Sequence, residues 1–268
     1  MIHLAIISHG HEDLLIASRL GHLLDERVRL KIWVKDNKPS EKLNNFCREQ
    51  GIFYTDAQAG LGFGHNNNVL FELIQQQVGY QADDIFVVMN PDVSIAPEML
   101  YALVDQMRAS RHTIATLNLF RDPAFTVADT NIRHFPGMRS LIGMPLNNSF
   151  SETYDKERLA LSINEVEVEW ASGAFLAFTA EHYIKLGGFD PSYFMYFEDV
   201  DICYRSRKYL GQAVYYYPQL KAVHTAAHKN RNLSSPHARW FFTSFFKFLW
   251  RRYLRISAPY PQKQAANR

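Results

Sequence analysis

The sequence has little of what characterises secreted, membrane-spanning or disulfide-bonded proteins. Among its 268 residues there are only two cysteines, Cys47 and Cys203. Two cysteines cannot form a disulfide framework, and free thiols suit a reducing compartment. No run reaches the roughly 18 apolar residues that a membrane-spanning helix needs. The first apolar run is also too short for a signal peptide. We therefore expect a cytoplasmic protein.

A strong charge of one sign is also absent. The net charge is only +2, and the basic residues cluster only near the carboxyl terminus. A nucleic-acid-binding surface is therefore not expected. Hydrophobic residues make up 47% of the chain, which is enough for one large domain or two small ones and excludes general disorder. No internal repeat or low-complexity segment is present.

Strand and helix patterns alternate in the first part of the chain. Buried strands are predicted at His3–Ser8, Leu30–Val34 and Ile52–Thr55, with helical segments between them. This alternation predicts a parallel α/β sheet, whose ligand site lies at the carboxyl ends of the strands. The polar and small residues that follow these ends are candidate ligand contacts: Ser8, His9, Gly10, Asp36 and Asn37.

A glycine-rich segment, Gly60–Asn68 (GLGFGHNNN), precedes a helix predicted over Val69–Val78. Glycines let the backbone approach a ligand closely, and a helix amino terminus attracts phosphate. The segment matches neither the P-loop nor the dinucleotide-binding pattern. The alternative is a tight strand–helix connection in which the asparagines act as caps.

The most strand-like run, Asp84–Met89, ends at Asn90-Pro91-Asp92. Pro91 cannot continue a sheet, so Asp92 should emerge at the carboxyl edge of a central strand. A carboxylate there could hold Mg²⁺ or Mn²⁺. The alternative is a turn before the helix that is predicted over residues 97–109.

The acidic segment Gly187–Arg205 (GGFDPSYFMYFEDVDICYR) is the best candidate for catalysis. An aromatic run precedes Glu198 and Asp199, and carboxylates favour the first turn of a helix. A carboxylate at a helix start against an apolar wall can be tuned as a general base. The alternative is that both acids only cap the helix.

Two further features concern the middle of the chain and the histidines. Residues 120–164 have no clear periodicity and are predicted to form a lid or substrate loop, followed by an exposed-face strand over Val166–Trp170. His224 and His228 are spaced to share one helical face and could bind zinc. We favour His224 as a single ligand, and a purely structural histidine is the alternative.

The carboxyl-terminal segment Trp240–Arg255 predicts a basic amphipathic helix. A helical wheel places six apolar side chains on one side: Phe242, Phe245, Phe246, Leu249, Trp250 and Tyr253. The opposite side groups four cations: Lys247, Arg251, Arg252 and Arg255. Such helices lie in membrane interfaces, which predicts contact with an anionic membrane surface. The alternatives are a helix packed on the core and the interface of a homo-oligomer.

Taken together, the motifs resemble glycosyltransferases of family two, which have the GT-A fold. They occur in the family's order between about residues 4 and 228: IISHG, VKDNKP, GFGHNNN, VMNPDV, WASGAFLAF and GGFDPSYFMYFEDVDICYR. Within the family the chain is most similar to bacterial L-rhamnosyltransferases of O-antigen assembly. The resemblance implies a mostly parallel central sheet with flanking helices over residues 1–230, and a membrane-associating helix and tail over 231–268.

For the donor, the resemblance implies dTDP-L-rhamnose and a divalent metal, Mg²⁺ or Mn²⁺. Asp36 and Asn37 would contact the nucleotide, and Gly64 and Asn66–Asn68 would line the donor pocket. The family's Asp-X-Asp falls on Asn90 and Asp92, so that Asp92 would hold the metal and Asn90 replaces the first acid. His224 falls on a second metal ligand.

For catalysis, the resemblance implies an inverting single displacement. Asp199 would be the general base, with Glu198 as its partner, and Trp170 and Gly173 would border the acceptor. The acceptor would be a polyprenyl-diphosphate-linked saccharide at the inner face of the plasma membrane. Two alternatives stay open: a transferase that uses a UDP-galactofuranose or UDP-hexose donor, and a non-catalytic nucleotide-sugar-binding protein.

Overall fold

The structure is a computed structural model that describes residues 1–18, 20–24, 29–138, 140, 150–225 and 236–254. Its strands are β1 (Ile2–Ser8), β2 (Leu30–Asp36), β3 (Phe53–Thr55), β4 (Ile85–Met89), β5 (Val93–Ile95), β6 (Ile114–Phe120), β7 (Ile132–Arg133), β8 (Val166–Val168), β9 (Trp170–Ala171), β10 (Phe175–Thr179) and β11 (Val214–His224). Its α-helices are α1 (Glu12–Ala17), α2 (Glu41–Glu49), α3 (Phe63–Gln77), α4 (Pro97–Ser110), α5 (Lys156–Leu159), α6 (Ala180–Leu186), α7 (Glu198–Leu210) and α8 (Pro236–Leu254). A short 3₁₀ helix spans Leu20–Leu23.

A nine-stranded mixed sheet forms the centre of the protein, in the order β3-β2-β1-β4-β10-β6-β11-β5, with β8 paired to β11. The strands from β3 to β4 run parallel, and β10 lies antiparallel between β4 and β6. Strands β7 and β9 form a separate two-stranded ribbon. The predicted α/β fold with a mostly parallel sheet is confirmed.

Two hydrophobic cores cover the two faces of the sheet. Strand β4 supplies both, because successive side chains of a strand point to opposite faces. Ile85, Val87 and Met89 pack on the side of α1, α2 and α4. Phe86 and Val88 pack on the other side with α3, α6, α7 and α8. Both cysteines are buried free thiols.

Three elements differ from the sequence prediction. Helix α3 begins at Phe63 rather than Val69, so the predicted loop residues Asn66–Asn68 lie within it. Strand β11 continues to His224 by a change of register between Tyr217 and Lys221, so His224 lies on a strand and not on a helical face. The predicted lid over residues 120–164 contains β7 and α5. Its cluster at residues 144–149 lies outside the described residues, as do His228 and Arg255.

Candidate active site

The two candidate catalytic acids begin helix α7, directly after an unusual turn. Tyr196 and Phe197 both have a φ of 68°, in the left-handed region that large side chains rarely adopt. The turn is stabilised by packing, because the ring of Phe197 lies 5.4 Å from that of Phe241 and 5.5 Å from that of Phe245 in α8. The aromatic run before the acids is therefore what aims the first turn of α7.

Asp199 is held by two backbone amides. Gly173 N–H donates to its Oδ2 at 3.0 Å, and Val200 N–H donates to its Oδ1 at 2.8 Å. Burial raises the pKa of Asp199, and the two donors lower it by a smaller amount. A carboxylate fixed in this way and made more basic by its surroundings has the properties of a general base.

Glu198 lies in a different environment from its neighbour. Its side chain is buried, and its Oε2 has no hydrogen-bond partner among the described residues. Burial and the charge of Asp199 raise the pKa of Glu198 well above its usual value. Both carboxyl groups therefore hold a proton more readily than ordinary ones, and the pKa of Glu198 is raised more than that of Asp199.

The end of β4 and the start of α7 meet through two adjacent residues. Asn90 N–H donates to the carbonyl of Ala174 at 2.9 Å, while the preceding residue, Gly173, donates to Asp199. A Cβ on Gly173 would lie 2.8 Å from the Phe63 ring at the start of α3. The predicted donor, acceptor and catalytic segments therefore converge at Gly173.

The predicted metal ligands Asp92 and His224 also lie together. Antiparallel pairing of β11 with β5 places His224 opposite Val93. His224 Nε2 lies 3.4 Å from Asp92 Oδ1, and its Nδ1 lies 2.7 Å from Asp129 Oδ2. Burial lowers the pKa of His224, but its contacts with the two carboxylates outweigh burial and raise the pKa to about 9.

The chemistry of Asp92 and His224 suits a divalent cation. Asp92 Oδ1 is buried and has no hydrogen-bond partner among the residues that the structure describes. Carboxylate ligands suit Mg²⁺ and Mn²⁺, and imidazole is a common metal ligand. Across the part of the chain that the structure describes, no group of three or more His, Cys, Asp or Glu side chains is arranged as a metal site. In the metal-free state the histidine is protonated, and a cation would have to replace that proton.

Sequence reasoning missed Asp129 and the lysine behind it. Lys156 Nζ is buried and donates to Asn118 Oδ1 at 3.1 Å, to Asn131 Oδ1 at 2.5 Å and to the carbonyl of Leu119 at 3.0 Å. Burial lowers the pKa of Lys156 to about 7. Asn118 gave a usable signal, since a polar side chain inside an apolar strand needs a buried partner. Asp129 lies in an irregular segment that gave none.

The candidate nucleotide contacts lie at the carboxyl ends of β1 and β2. Ser8 and Asp36 are opposite each other in the parallel register and are both buried, whereas His9 and Gly10 are exposed. Asn37 reaches across to the glycine-rich segment. Its Oδ1 accepts from Gly60 N–H at 2.8 Å, and its Nδ2 donates to Leu61 O at 3.0 Å. These contacts hold the glycine-rich segment against the carboxyl end of β2.

The structure gives the asparagines of α3 internal partners. The Asn68 amide bonds both the N–H and the carbonyl of Phe189 and accepts from the Tyr183 hydroxyl. Asn66 and Asn67 are buried and donate to Leu61 O and Phe63 O. The polar atoms of Asn68 thus position the turn before the aromatic run, and its place in the donor pocket stays a prediction.

Gly64 and Trp170 also have packing roles. A Cβ on Gly64 would lie 2.7 Å from Phe189 Cβ and 3.3 Å from Glu198 Cβ, so the glycine lets α3 approach α7. Trp170 is buried, and its indole N–H donates to the carbonyl of His134 at 2.8 Å. The Trp170 side chain therefore packs in the core, and its role at the acceptor stays a prediction.

Helix α8 corrects the helical-wheel prediction. Phe245 and Leu249 are buried in the core with Phe248, so the six predicted apolar side chains do not share one exposed face. Those left exposed are Phe242, Phe246, Trp250 and Tyr253, with Leu254. The cations contact the protein: Lys247 bonds Ser192 O, Arg251 bonds Asp190, and Arg252 bonds Pro136 O. No helix among the described residues has the length and apolar character to cross a bilayer.

Solved structures share this architecture. The structure of GalNAc-T7 with UDP, GalNAc and Mn²⁺ aligns with a TM-score of 0.63 at 13% identity, over 93% of this chain and 49% of that one. The mannosyltransferase PcManGT from Pyrobaculum calidifontis, in complex with GDP-Man and Mn²⁺, aligns with a TM-score of 0.59 at 14% identity, over 97% and 66%. The fold is that of GT-A glycosyltransferases.

The family follows from sequence comparison. Residues 11–243 match the family described as "Glycosyltransferase like family 2". Rhamnosyltransferase WbbL of Escherichia coli (strain K12) is 32% identical over 253 residues, covering 94% of each chain. The N-acetylglucosaminyl-diphospho-decaprenol L-rhamnosyltransferase of Mycobacterium tuberculosis is 32% identical over 215 residues, covering 74% of this chain and 68% of the relative. The chain belongs to glycosyltransferase family 2, as its motifs predicted.

Proposed function

We propose that the protein transfers L-rhamnose, with inversion, from dTDP-L-rhamnose to a hydroxyl of a polyprenyl-diphosphate-linked GlcNAc. The names of both relatives at 32% identity support rhamnosyl transfer, and the mycobacterial relative's name supports the lipid-linked GlcNAc acceptor. The proposed product would enter O-antigen or another surface polysaccharide.

In this mechanism Asp199 removes the proton from the acceptor hydroxyl as the oxygen attacks the anomeric carbon. The observation that carries the proposal is the pair of amides, Gly173 and Val200, that aim the carboxylate. The raised pKa of Glu198 favours its neutral form, which would add no second negative charge beside the base. As the new bond forms, the bond between the anomeric carbon and dTDP breaks. Loss of the captured proton from Asp199 to solvent then returns the base to its ionised form and completes the cycle.

Mg²⁺ or Mn²⁺ would be held by Asp92 and His224. When bound, such an ion neutralises charge on a departing diphosphate. Asp129 would fix the orientation of the His224 imidazole through its 2.7 Å contact with Nδ1. The outer partners of metal-bound histidines commonly act in this way. Chelation with EDTA should abolish transfer and added Mn²⁺ should restore it; full activity in EDTA contradicts the metal assignment.

The donor is tested by calorimetry and product analysis. Binding of dTDP-L-rhamnose, UDP-galactofuranose and UDP-glucose should be compared, followed by incubation of each with a GlcNAc-diphosphate-lipid. Tightest binding and transfer are expected for dTDP-L-rhamnose, and NMR of the product should show an inverted anomeric centre. Tightest binding of a UDP sugar, or a retained configuration, would overturn the corresponding part of the proposal.

We also propose that α8 contacts the membrane that holds the acceptor, by its exposed aromatic side chains and not by the predicted cationic face. Phe246 and Trp250 are 54% and 60% exposed and lie one helical turn apart. Aromatic side chains favour the bilayer interface. Changing both to Ser should reduce flotation with anionic liposomes. Leu161, which is 84% exposed, gives the matched control Leu161→Ser. Equal flotation of both variants contradicts this role.

A further inference from the structure

Arg251 of α8 joins two buried carboxylates that lie on either side of the catalytic pair in the sequence. Its Nη1 donates to Asp190 Oδ2, in the turn before the aromatic run, and lies 3.6 Å from Asp201 Oδ1, in the first turn of α7. Asp201 is also bonded to Arg205 Nε at 2.7 Å. The guanidinium therefore connects the chain that enters the catalytic turn with the helix that leaves it.

The chain between these carboxylates is held by the same helix. Lys247 Nζ donates to the carbonyl of Ser192, and Ser244 Oγ donates to the carbonyl of Met195 at 3.0 Å. The ring of Tyr193 lies beneath two cations of α8, with 5.1 Å from its centroid to Lys247 Nζ and 5.2 Å to the guanidinium. Three successive turns of α8 thus contact one short segment.

This segment needs such support because its end is strained. Tyr196 and Phe197 have left-handed backbone conformations, which persist only where surrounding contacts fix them. The segment is also held from α3, because Phe63 N–H donates to Phe194 O at 3.1 Å. If the contacts from α8 were lost, these two residues could relax and the first turn of α7 would rotate.

We propose that Arg251 is a positioning residue: through Asp190 and Asp201 it fixes the strained turn that aims Asp199 at the acceptor. This inference rests on the proposed role of Asp199 as general base. The sequence predicted a membrane contact for Arg251. The proposed role instead depends on its contacts inside the protein. If Arg251 served stability alone, its loss would lower turnover and weaken substrate binding together.

The kinetic test compares Arg251→Gln with Arg239→Gln, which removes an exposed cation from the same helix. A soluble acceptor keeps membrane contact out of the measurement. Arg251→Gln should lower kcat by about 10- to 100-fold, the usual effect of a small misplacement of a catalytic group. The KM and the Kd for the donor should not change. Arg251→Lys should recover part of kcat, because it keeps the charge without the two-pronged geometry. Arg239→Gln should match the wild type.

A second measurement needs no donor and separates this inference from the proposed function. Hydrogen exchange at the amides of Gly173 and Val200, which bond Asp199, should become faster in Arg251→Gln while the amides of β4 keep their protection. If the wild type transfers no rhamnose but this change occurs, the proposed function fails and the positioning role stands. The positioning role is overturned if exchange at both amides is unchanged, or if kcat is unchanged. Should Arg251→Gln not fold, Lys247→Met provides the same readouts, and a wild-type result there also overturns the role.

Discussion

Changing Asp199 to Asn should remove the proposed general base and keep the fold. The amide has the shape of the carboxylate, but its NH₂ group cannot accept a hydrogen bond. One of the two bonds from Gly173 and Val200 is therefore lost, at a cost of about 1–3 kcal/mol. Removing a buried negative charge offsets part of this cost, because burial already disfavours the ionised form of Asp199. We expect a folded variant with normal donor binding.

Turnover should fall by roughly 100-fold or more, since a positioned general base contributes about 10²–10⁴. In the wild type, the raised pKa of Asp199 means that its ionised form is depleted at a higher pH than for an ordinary carboxyl group. Wild-type kcat should therefore decline early on acidification, and the residual activity of Asp199→Asn should not follow that decline.

The assay is single-turnover transfer to a soluble acceptor, with donor affinity measured separately by calorimetry. Asp155→Asn is the matched control, because Asp155 is an exposed aspartate that also accepts a backbone bond at a helix start. Near-normal turnover of Asp199→Asn, or an equal loss in Asp155→Asn, would refute the reasoning.

Three further changes have expected outcomes. Glu198→Gln should become more stable relative to the wild type as pH rises above about 4.5, since the raised pKa of Glu198 costs the wild type stability in that range; parallel urea-unfolding profiles would contradict this. Gly173→Ala should cost about 1–3 kcal/mol and reduce kcat, because its Cβ meets the Phe63 ring, and Phe63→Leu should restore both; failure of the double variant to recover tells against the contact. In metal-free protein, the ion pairs of His224 should stabilise the fold fully below pH 6.5 and be lost as pH rises through about 9, and thermal unfolding of His224→Gln should lack this dependence.

The sequence allowed the fold and the positions of the acids to be predicted, because both depend on local pattern. Alternation of strands and helices fixes where strand ends occur, and Asp92 and Asp199 follow such an end and a helix start. The partners of amide and indole groups were beyond prediction: Asn68 and Trp170 have polar atoms that serve as well in a core as in a pocket. Their environment is set by chain segments more than 30 residues away.

Dependence on distant chain segments also explains why the helical wheel did not predict which side chains of α8 are buried. A helical wheel shows which side chains share a face, but α8 has aromatic residues on more than one side. Only tertiary packing decides that Phe245 is buried and Phe246 is exposed. The sequence predicts Arg251 as a membrane contact because its two carboxylate partners lie more than 45 residues earlier in the chain.

The placement of β10 has a consequence for how the protein is made. This strand lies between β4 and β6 at the middle of the sheet, yet it follows β4 by more than 80 residues. On the ribosome, the parallel unit from β1 to β4 can assemble early, but its edge at β4 stays unpaired until β10 has emerged. Open strand edges invite pairing between chains. We therefore expect chains that stop before Phe175 to aggregate more readily than chains that include β10.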